Sequence, residues 1–156
     1  MRKARRFWMV LVLTFAMLLP TLTACSDSGD PQSGSITLAV IGEDGTETEY
    51  VLSLDGVDTS RGLLGVLEKG KAEGKVDYTA DDTGYGAFLT SIGGLSQDAA
   101  RGVYLLLYTS VERDFDVSVY ATEITYRGKT LCSAGVGISA MTVEDGMTVV
   151  VKPGNY

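Results

Sequence analysis

Hydrophobic and polar positions divide the chain into an apolar N-terminal run and a longer part made of short apolar stretches. Residues 7–19 carry no charge. Residues 36–41 and 46–54 are rich in β-branched and aromatic side chains, and Glu43-Asp44-Gly45 lies between them. Because Asp-Gly supplies the positive φ angles that a tight turn requires, these two stretches predict a β-hairpin.

One helix is predicted after this hairpin. Thr59 or Ser60 can cap its start, and Gly70 can end it. Gly62 and Gly65 inside it cost about 1 kcal/mol each relative to alanine, so we expect the helix to depend on close packing against a sheet. Its apolar face consists of Leu63, Leu64 and Leu67.

Further strands are predicted along the rest of the chain. Residues 74–84 are acidic and turn-prone. Apolar or alternating stretches come after them, at residues 85–91, 103–108, 117–126, 130–133 and 147–152. A hairpin followed by a helix and several strands predicts an α+β fold, in which one helix packs across a mixed sheet in a single small domain.

The N-terminal segment has the three parts of a secretory signal: a basic cluster at residues 2–6, the uncharged run, and small residues before position 25. The run is shorter than the roughly 20 apolar residues of a transmembrane helix. Leu22-Thr23-Ala24-Cys25 resembles the lipobox recognised by bacterial lipoprotein signal peptidase. The resemblance implies cleavage before Cys25, a diacylglycerol thioether on its sulfur, and a fatty acid such as palmitate on the new amino terminus. An ordinary cleaved signal, in which Cys25 is incidental, is the alternative.

These features divide the chain into three parts. Residues 1–24 are the expected lipoprotein signal peptide, residues 25–35 a lipid-anchored flexible tether, and residues 36–156 the folded domain. The tether is polar and rich in glycine and serine. We expect the mature protein on the extracytoplasmic face of a bacterial cell membrane, where acyl chains hold it by burying methylene groups in the lipid.

The charge of the mature chain limits its partners. Residues 1–24 contain four basic and no acidic residues, so their removal leaves nine Lys and Arg against 20 Asp and Glu, a net charge of −11. Binding to a phosphate backbone depends on Lys and Arg that displace counterions. We therefore expect no nucleic acid partner, and the membrane lipid should be reached through the acylated Cys25 alone.

The composition also argues against catalysis. The sequence contains no histidine, which removes the commonest general base, the Ser-His-Asp triad and imidazole metal ligands. No nucleophile motif and no matched pair of acids stands out. We therefore predict that the protein is not an enzyme, has no catalytic residues and needs no cofactor.

Two smaller features bear on metal binding and thiol chemistry. Asp77, Asp81 and Asp82 could offer oxygen ligands to calcium, but their spacing does not match an EF-hand loop. We predict no metal site and a solvated acidic loop. Cys132 is the thiol that remains once Cys25 carries lipid, so the mature domain can form no internal disulfide. Its apolar and small neighbours predict a buried side chain.

Several short segments resemble the transcobalamin-like C-terminal domain family, a soluble ligand-binding β-grasp module common on bacterial surface lipoproteins. The most specific segment is Thr-Ser-Ile-Gly-Gly at residues 90–94, where the family tends to have Thr-Ser-Ile-Asn-Gly. Two departures are the lack of tryptophan in residues 104–108 and a long connection at residues 109–125. The other similar segments are residues 59–64, 85–89, 102–108, 133–136 and 143–149.

The resemblance implies binding without chemistry, with cobalamin or a related corrinoid as the candidate ligand. Corrin is a large, mostly apolar disc with an amide rim, so its site needs flat apolar contacts and a few hydrogen bonds. A membrane importer or a second binding protein is the implied partner, because the family's carriers enclose the ligand between this domain and a larger one. The candidate ligand-binding residues are Tyr85, Phe88, Ser91, Gly93, Gly94 and Leu95 on one loop, and Tyr104, Tyr108 and Tyr126 in the sheet.

A second function fits the same sequence. The domain could be a surface module that binds another protein or a wall polymer through a sheet edge or hairpin, without a small-molecule site. An aromatic-lined concavity at Gly93-Gly94 would favour ligand binding. A flat polar sheet face with an exposed edge strand would favour the interaction module.

Overall fold

The computed structural model describes residues 33–84 and 86–155, which form a six-stranded sheet, a three-stranded sheet and one α-helix. The signal peptide, Cys25, most of the tether and Tyr85 lie outside the described residues. Within the described ranges, no helix has the length and apolar character needed to cross a membrane. The elements are β1 (Ser35–Ile41), β2 (Glu47–Ser53), α1 (Gly62–Ala72), β3 (Tyr78–Asp82), β4 (Ala87–Ile92), β5 (Leu95–Ser96), β6 (Tyr104–Thr109), β7 (Glu123–Tyr126), β8 (Lys129–Ser133) and β9 (Thr148–Gly154).

The predicted hairpin is present as β1 and β2, which pair antiparallel from Ser35 opposite Ser53 to Ile41 opposite Glu47. Its turn is held by Asp44, whose carboxylate accepts hydrogen bonds from the Thr46 hydroxyl (2.7 Å) and the Thr46 backbone N–H (2.9 Å). These bonds favour the charged form and lower the pKa of Asp44 below its ordinary value. Gly45 follows with φ of +81°, as an Asp-Gly turn requires.

The six-stranded sheet has the order β2-β1-β9-β6-β8-β7, with the parallel pair β1 and β9 near its centre. One face packs with α1 and the three-stranded sheet β3-β4-β5, in a core that includes Leu38, Leu67 and Val149. The opposite face has a smaller core of its own, around Ala39 and Val150. The predicted α+β fold, with one helix on a mixed sheet in a small domain, is confirmed.

The helix begins and ends at residues other than those predicted. Asp58, rather than Thr59 or Ser60, caps this segment: its carboxylate accepts from the Ser60 N–H (3.1 Å), and a single 3₁₀ turn precedes α1. The helix continues through Gly70 to Ala72 because Gly70 is buried against Leu52 and Val76 and does not act as a stop. A β-carbon at Gly70 would lie 2.8 Å from Val76 Cγ1 and 3.2 Å from Leu52 Cδ2.

Two predicted segments have a different secondary structure. Residues 117–126 alternate like a strand, but pairing with β8 begins only at Glu123, and the residues before it form a loop. The Asp116 carboxylate accepts from the Ser118 N–H (2.8 Å) and starts a turn there, which removes that stretch from the sheet. Residues 78–82, predicted as part of a loop, form β3 because they pair with β4.

The start of α1 depends on a glycine. Gly62 has φ of +60° and ψ of −149°, a backbone region open almost only to glycine. A β-carbon there would lie 2.7 Å from the Met141 carbonyl oxygen and 2.8 Å from that of Ile138. The close contact that the sequence predicts for this helix is therefore made with the loop before β9 at this end, and with β2 at Gly70.

We expect Gly62→Ala to lower the free energy of unfolding by about 3 kcal/mol, because backbone strain and steric overlap act together. The matched control is Gly56→Ala, where φ is +71° but nothing lies within 4 Å of the added carbon. This control should cost about 1 kcal/mol through strain alone. Urea-induced unfolding followed by circular dichroism measures both, and equal losses would contradict a packing role for Gly62.

Side chains join the two edge strands of the six-stranded sheet across its second face. Tyr126, on β7, donates its hydroxyl to Glu47 Oε1 (2.6 Å) on β2 and lies 3.0 Å from Glu49 Oε2. Arg127 reaches the same carboxylates, with Nη1 at 2.6 Å from Glu49 Oε2. Burial and the two neighbouring carboxylates raise the pKa of the Tyr126 phenol. The sheet is therefore curled, and its edges enclose the smaller core.

Tyr126→Phe should lower the free energy of unfolding by about 1–2 kcal/mol, because it removes a hydrogen bond to a carboxylate. Tyr120→Phe makes the same chemical change at a largely exposed side chain and should stay within about 0.5 kcal/mol of the unchanged protein. Chemical denaturation of the two variants compares them directly. If Tyr126→Phe is as stable as Tyr120→Phe, the bridge between the edge strands does not stabilise the fold.

Candidate functional site

A cleft of about 390 Å³ lies between β4 and β6. Strand β6 pairs with β9 from Tyr104 to Thr109, but with β8 only at Tyr108 and Thr109. Because β8 does not extend beside the first four residues of β6, that edge faces β4 across a gap. The bottom and sides of the gap are mainly apolar, formed by Leu89, Leu105, Leu106, Leu107, Ala134 and Ile138.

Exposed apolar side chains are concentrated at this cleft. Seven large hydrophobic side chains are exposed among the described residues, and four of them, Phe88, Tyr104, Tyr120 and Val136, line the cleft. Soluble proteins rarely leave contiguous apolar surface exposed unless it binds something. Tyrosine and phenylalanine also suit a ligand with a flat face, because the ring buries a large area and a tyrosine hydroxyl can still find a partner. The cleft is therefore the candidate binding site.

One wall of the cleft is the loop that follows β8, and it is fixed tightly to β4. The Ile138 N–H donates to the Ala87 carbonyl (2.9 Å), and the Ala87 N–H donates to Ser139 Oγ (2.9 Å). A β-carbon at Gly137 would lie 2.8 Å from the Ala87 carbonyl oxygen, so only glycine allows this approach. Val136, which lines the cleft, directly precedes this attached segment.

The same loop is braced from its other side by a buried carboxylate. Asp114 is 5% exposed and accepts hydrogen bonds from the Thr142 N–H (2.6 Å) and the Thr142 hydroxyl (3.1 Å). The Asp114 carbonyl also accepts from the Gly135 N–H (2.9 Å). A buried carboxylate costs free energy unless it is hydrogen-bonded, and here its bonds join the segment after β6 to the wall of the cleft.

A second wall comes from the loop at residues 116–122. Its ends are both attached to Ser133: the Asp116 N–H donates to the Ser133 carbonyl (2.8 Å), and the Thr122 N–H donates to Ser133 Oγ (3.0 Å). Between these attachments Tyr120 lines the cleft while remaining 83% exposed. The loop therefore presents an aromatic ring over the opening from a fixed base.

The polar groups of the cleft include two carboxylates. Asp81 and Asp116 are the charged residues that line it, and in the described part of the chain no lysine or arginine does so. Asp81 lies on β3 directly opposite Phe88 on β4, so the two side chains project from the same face of the small sheet. Neutral hydrogen-bonding groups come from Thr83, Thr90, Gln97, Thr122, Ser133 and Asn155.

The structure brings two of the sequence-predicted ligand residues into the cleft, namely Phe88 and Tyr104. Tyr85 lies outside the described residues. Ser91, Gly93, Gly94 and Leu95 belong to the end of β4, the turn and β5, and none of them lines the cleft. The turn packs elsewhere, because a β-carbon at Gly93 would lie 2.6 Å from the Tyr50 hydroxyl. The aromatic-lined concavity is therefore at the edge of β6 and not at Gly93-Gly94.

The two remaining predicted tyrosines are buried in the smaller core. Tyr108 is 3% exposed and Tyr126 is 7% exposed. Their hydroxyls bond within the protein, with Tyr108 3.2 Å from Thr122 Oγ1 and Tyr126 at the β2 carboxylates. Neither side chain is available to a ligand in this structure, because the curled sheet encloses both.

Sequence reasoning missed most of the other cleft residues. Tyr120 lies in the connection that is longer than in the resembling family, and Val136 lies in one of the segments that carry the resemblance. The long connection and the resembling segment could therefore have indicated Tyr120 and Val136 from the sequence. Nothing in the local pattern of Asp81 or Asp116 distinguishes either from an ordinary surface acid, because their placement depends on pairing with distant residues.

The acidic residues near β3 do not form a metal cluster. Asp77 pairs with Lys71, Nζ to Oδ1 at 2.8 Å, and this lysine lowers the pKa of Asp77. Asp81 and Asp82 lie on β3, so the predicted solvated loop is wrong although both side chains are exposed. Among residues 33–84 and 86–155, no group of three or more potential His, Cys, Asp or Glu ligands is placed to hold a metal ion.

Cys132 is only partly buried, contrary to the fully buried side chain that its neighbours predict. It lies on β8 opposite Glu123, and its sulfur is 3.6 Å from Glu123 Oε1. Desolvation and this carboxylate raise the pKa of the thiol. A raised pKa lowers the thiolate fraction and makes Cys132 a weak nucleophile at neutral pH.

Comparison with known proteins shows the fold. No protein-family model and no curated protein sequence matches the chain. Among solved structures, the chain is similar to haptocorrin in complex with cobinamide, with a TM-score of 0.52 and 16% sequence identity over 88% of this chain and 29% of the haptocorrin chain. The chain thus spans less than a third of haptocorrin, and the likeness shows a transcobalamin-like fold. A Ruminococcus gnavus protein described as a candidate metal-binding protein has a TM-score of 0.49 and 20% identity over 79% of this chain and 98% of its own.

Proposed function

We propose that this protein is a lipid-anchored, non-catalytic module that captures a corrinoid outside the cell. The single observation that carries the proposal is the concentration of exposed aromatic and apolar side chains around the cleft between β4 and β6. Cobalamin and related corrinoids are the ligands that fit best, because corrin offers a broad apolar disc and an amide rim. The transcobalamin-like fold, which one solved relative has in a complex with cobinamide, supports this choice.

The size of the cleft favours contact with one side of such a ligand. At about 390 Å³ it lies near the lower end of the range for small-molecule sites, and a corrinoid would extend beyond it. Phe88, Tyr104 and Tyr120 would lie against the corrin, while Gln97 and Asn155 could bond its amides. A membrane importer or a second binding protein would then cover the other side and receive the ligand.

Corrinoid binding can be tested on the full chain in lipid nanodiscs by titrating cobinamide and cobalamin and following corrin absorbance. We expect saturable binding that weakens about tenfold in Phe88→Ala and in Tyr104→Ala, because each change removes a ring that the ligand would bury. The control is Val51→Ala, which shortens an exposed apolar side chain on β2, away from the cleft. Absence of binding, or equal weakening in all three variants, would reject the proposed site.

Attachment to the membrane is the second part of the proposal. Acyl chains on Cys25 would hold the protein at the lipid, and the Gly/Ser-rich segment up to residue 35 would let the domain move roughly 17 Å from its anchor. This reach leaves the cleft accessible to an importer in the same membrane. The strongly acidic mature chain offers no alternative electrostatic attachment to anionic lipid.

Replacement of the anchoring cysteine tests this part. In bacteria fed a labelled palmitate analogue, Cys25→Ser should abolish labelling and release the protein from the membrane fraction, because position 25 no longer has a thiol for the diacylglycerol. Cys132→Ser provides the matched control, since it removes the other cysteine, and it should stay labelled and membrane-bound. Labelling that survives in Cys25→Ser would show that the anchor is elsewhere or absent.

A second candidate function has one observation in its favour. Val117 and Val119 are 97% and 92% exposed, at the outer side of the loop that carries Tyr120. Exposed valines at a loop tip gain free energy when a protein surface covers them. We propose on this basis that, if the cleft takes no small molecule, the loop and the cleft together contact another protein.

A further inference from the structure

We infer that the cleft selects its ligand by charge: it accepts a flat ligand whose rim carries amide or cationic groups, and it rejects one whose rim carries carboxylates or phosphates. This inference rests on the proposed function and specifies the ligand class of the same site. Among the described residues that line the cleft, the charged ones are both acidic, and they stand beside exposed aromatic rings.

The two carboxylates are placed where a ligand rim would pass. Asp81 is the cross-strand neighbour of Phe88, so a ligand lying on the Phe88 ring would bring its edge close to Asp81. Asp116 also lines the cleft, at the base of the loop that carries Tyr120. A disc held against the Phe88 and Tyr120 rings would therefore bring its rim near these carboxylates.

Neither carboxylate is neutralised by the protein. Among the described residues, every ion pair involves other acids, such as Glu47, Glu49 and Asp98, and none involves Asp81 or Asp116. The Asp116 oxygens accept from the Ser118 N–H (2.8 Å) and hydroxyl (3.0 Å). A carboxylate has about four acceptor positions, so these bonds leave Asp116 able to accept more.

The physical consequence is asymmetric. An amide or ammonium group on the ligand gains a charge-assisted hydrogen bond, which is about twice as strong as a neutral one. The exposed rings at the cleft add a cation–π attraction if the ligand is positively charged. A carboxylate or phosphate on the ligand meets like charge in a partly desolvated cleft, where screening by water is weaker. Discrimination then comes from repulsion as much as from attraction.

Two corrinoids of similar size separate these cases: cobinamide, whose rim carries amides, and cobyrinic acid, whose rim carries carboxylates. Both would be used as their dicyano forms, so that the axial ligands are identical, and titrated into the full chain in nanodiscs of neutral lipid. We expect cobinamide to bind at least tenfold more tightly. Raising the salt concentration from 0.1 to 1 M shortens the screening length from about 10 to 3 Å and should reduce this preference.

Charge-neutral variants test which residues cause the preference for cobinamide over cobyrinic acid. Asp81→Asn and Asp116→Asn should each reduce the preference for cobinamide about threefold or more, mainly by tighter binding of cobyrinic acid. The matched control is Asp82→Asn, which removes the same charge from the next residue of β3, a residue that does not line the cleft. It should leave the preference unchanged.

The outcomes distinguish this inference from the proposed function. Equal affinity for the two corrinoids, or a preference that Asp82→Asn reduces as much as Asp81→Asn, would overturn charge selection and leave corrinoid binding intact. Binding of neither corrinoid would overturn the proposed function and this inference with it. A tenfold or larger preference for cobinamide that depends on Asp81 or Asp116 would establish the selection.

Discussion

The parallel pairing of β1 with β9 is the contact on which the rest of this fold depends. It joins residues more than a hundred positions apart, with Leu38 beside Val149 and Ala39 beside Val150. All four side chains are fully buried, so both faces of this pair are covered, as is usual for parallel strands. The N-terminal hairpin is attached through β1, and β6 is attached through β9. Each of the two cores uses one face of this pair, so both depend on the long-range contact.

The cleft exists because β6 pairs to different extents with its two neighbouring strands. Strand β9 pairs with β6 along its whole length, whereas β8 pairs with only its last two residues. The free part of that edge needs cover, and β4, the loop after β8 and the loop at residues 116–122 provide it incompletely. Hydrogen bonds to the backbone and hydroxyl of Ser133 and to the backbone of Ala87 attach these loops to the sheets. Because β8 stops short beside β6, an apolar opening remains, and hydrogen bonds attach its walls to the sheets. Such an arrangement suits a site that binds a ligand without rearranging.

The chain as a whole and the cleft are both acidic, but the acids of the cleft have different surroundings from the other surface acids. The excess of acidic over basic residues gives the chain as a whole a negative charge, and like charge disfavours binding to anionic polymers. Some exposed acids are paired with basic side chains, as Glu47 and Glu49 are with Arg127, and such pairs contribute little to recognition. Asp81 and Asp116, which form no ion pair with a described residue, are different, because a ligand in the cleft would exclude the water that otherwise screens them. A cleft with this lining suits neutral or cationic organic molecules better than anionic ones.

Local signals in the sequence were sufficient for the hairpin, the existence of the helix, the α+β class and the resemblance to a transcobalamin-like fold. Asp44-Gly45 encodes its turn through the bonds of one side chain, and β-branched runs encode β1, β2 and β9, so no distant residue was needed to predict them. Tertiary structure decided everything that depends on which strand faces which. Period-two alternation puts Tyr104 and Tyr108 on the same face of β6 but does not say how far along the strand that face is covered, so Tyr104 lines the cleft while Tyr108, four residues later, is buried. The same limit applies to residues 117–120, whose alternation resembles a strand although no partner strand lies beside them, and to Asp81, which becomes a cleft residue only through its pairing with Phe88.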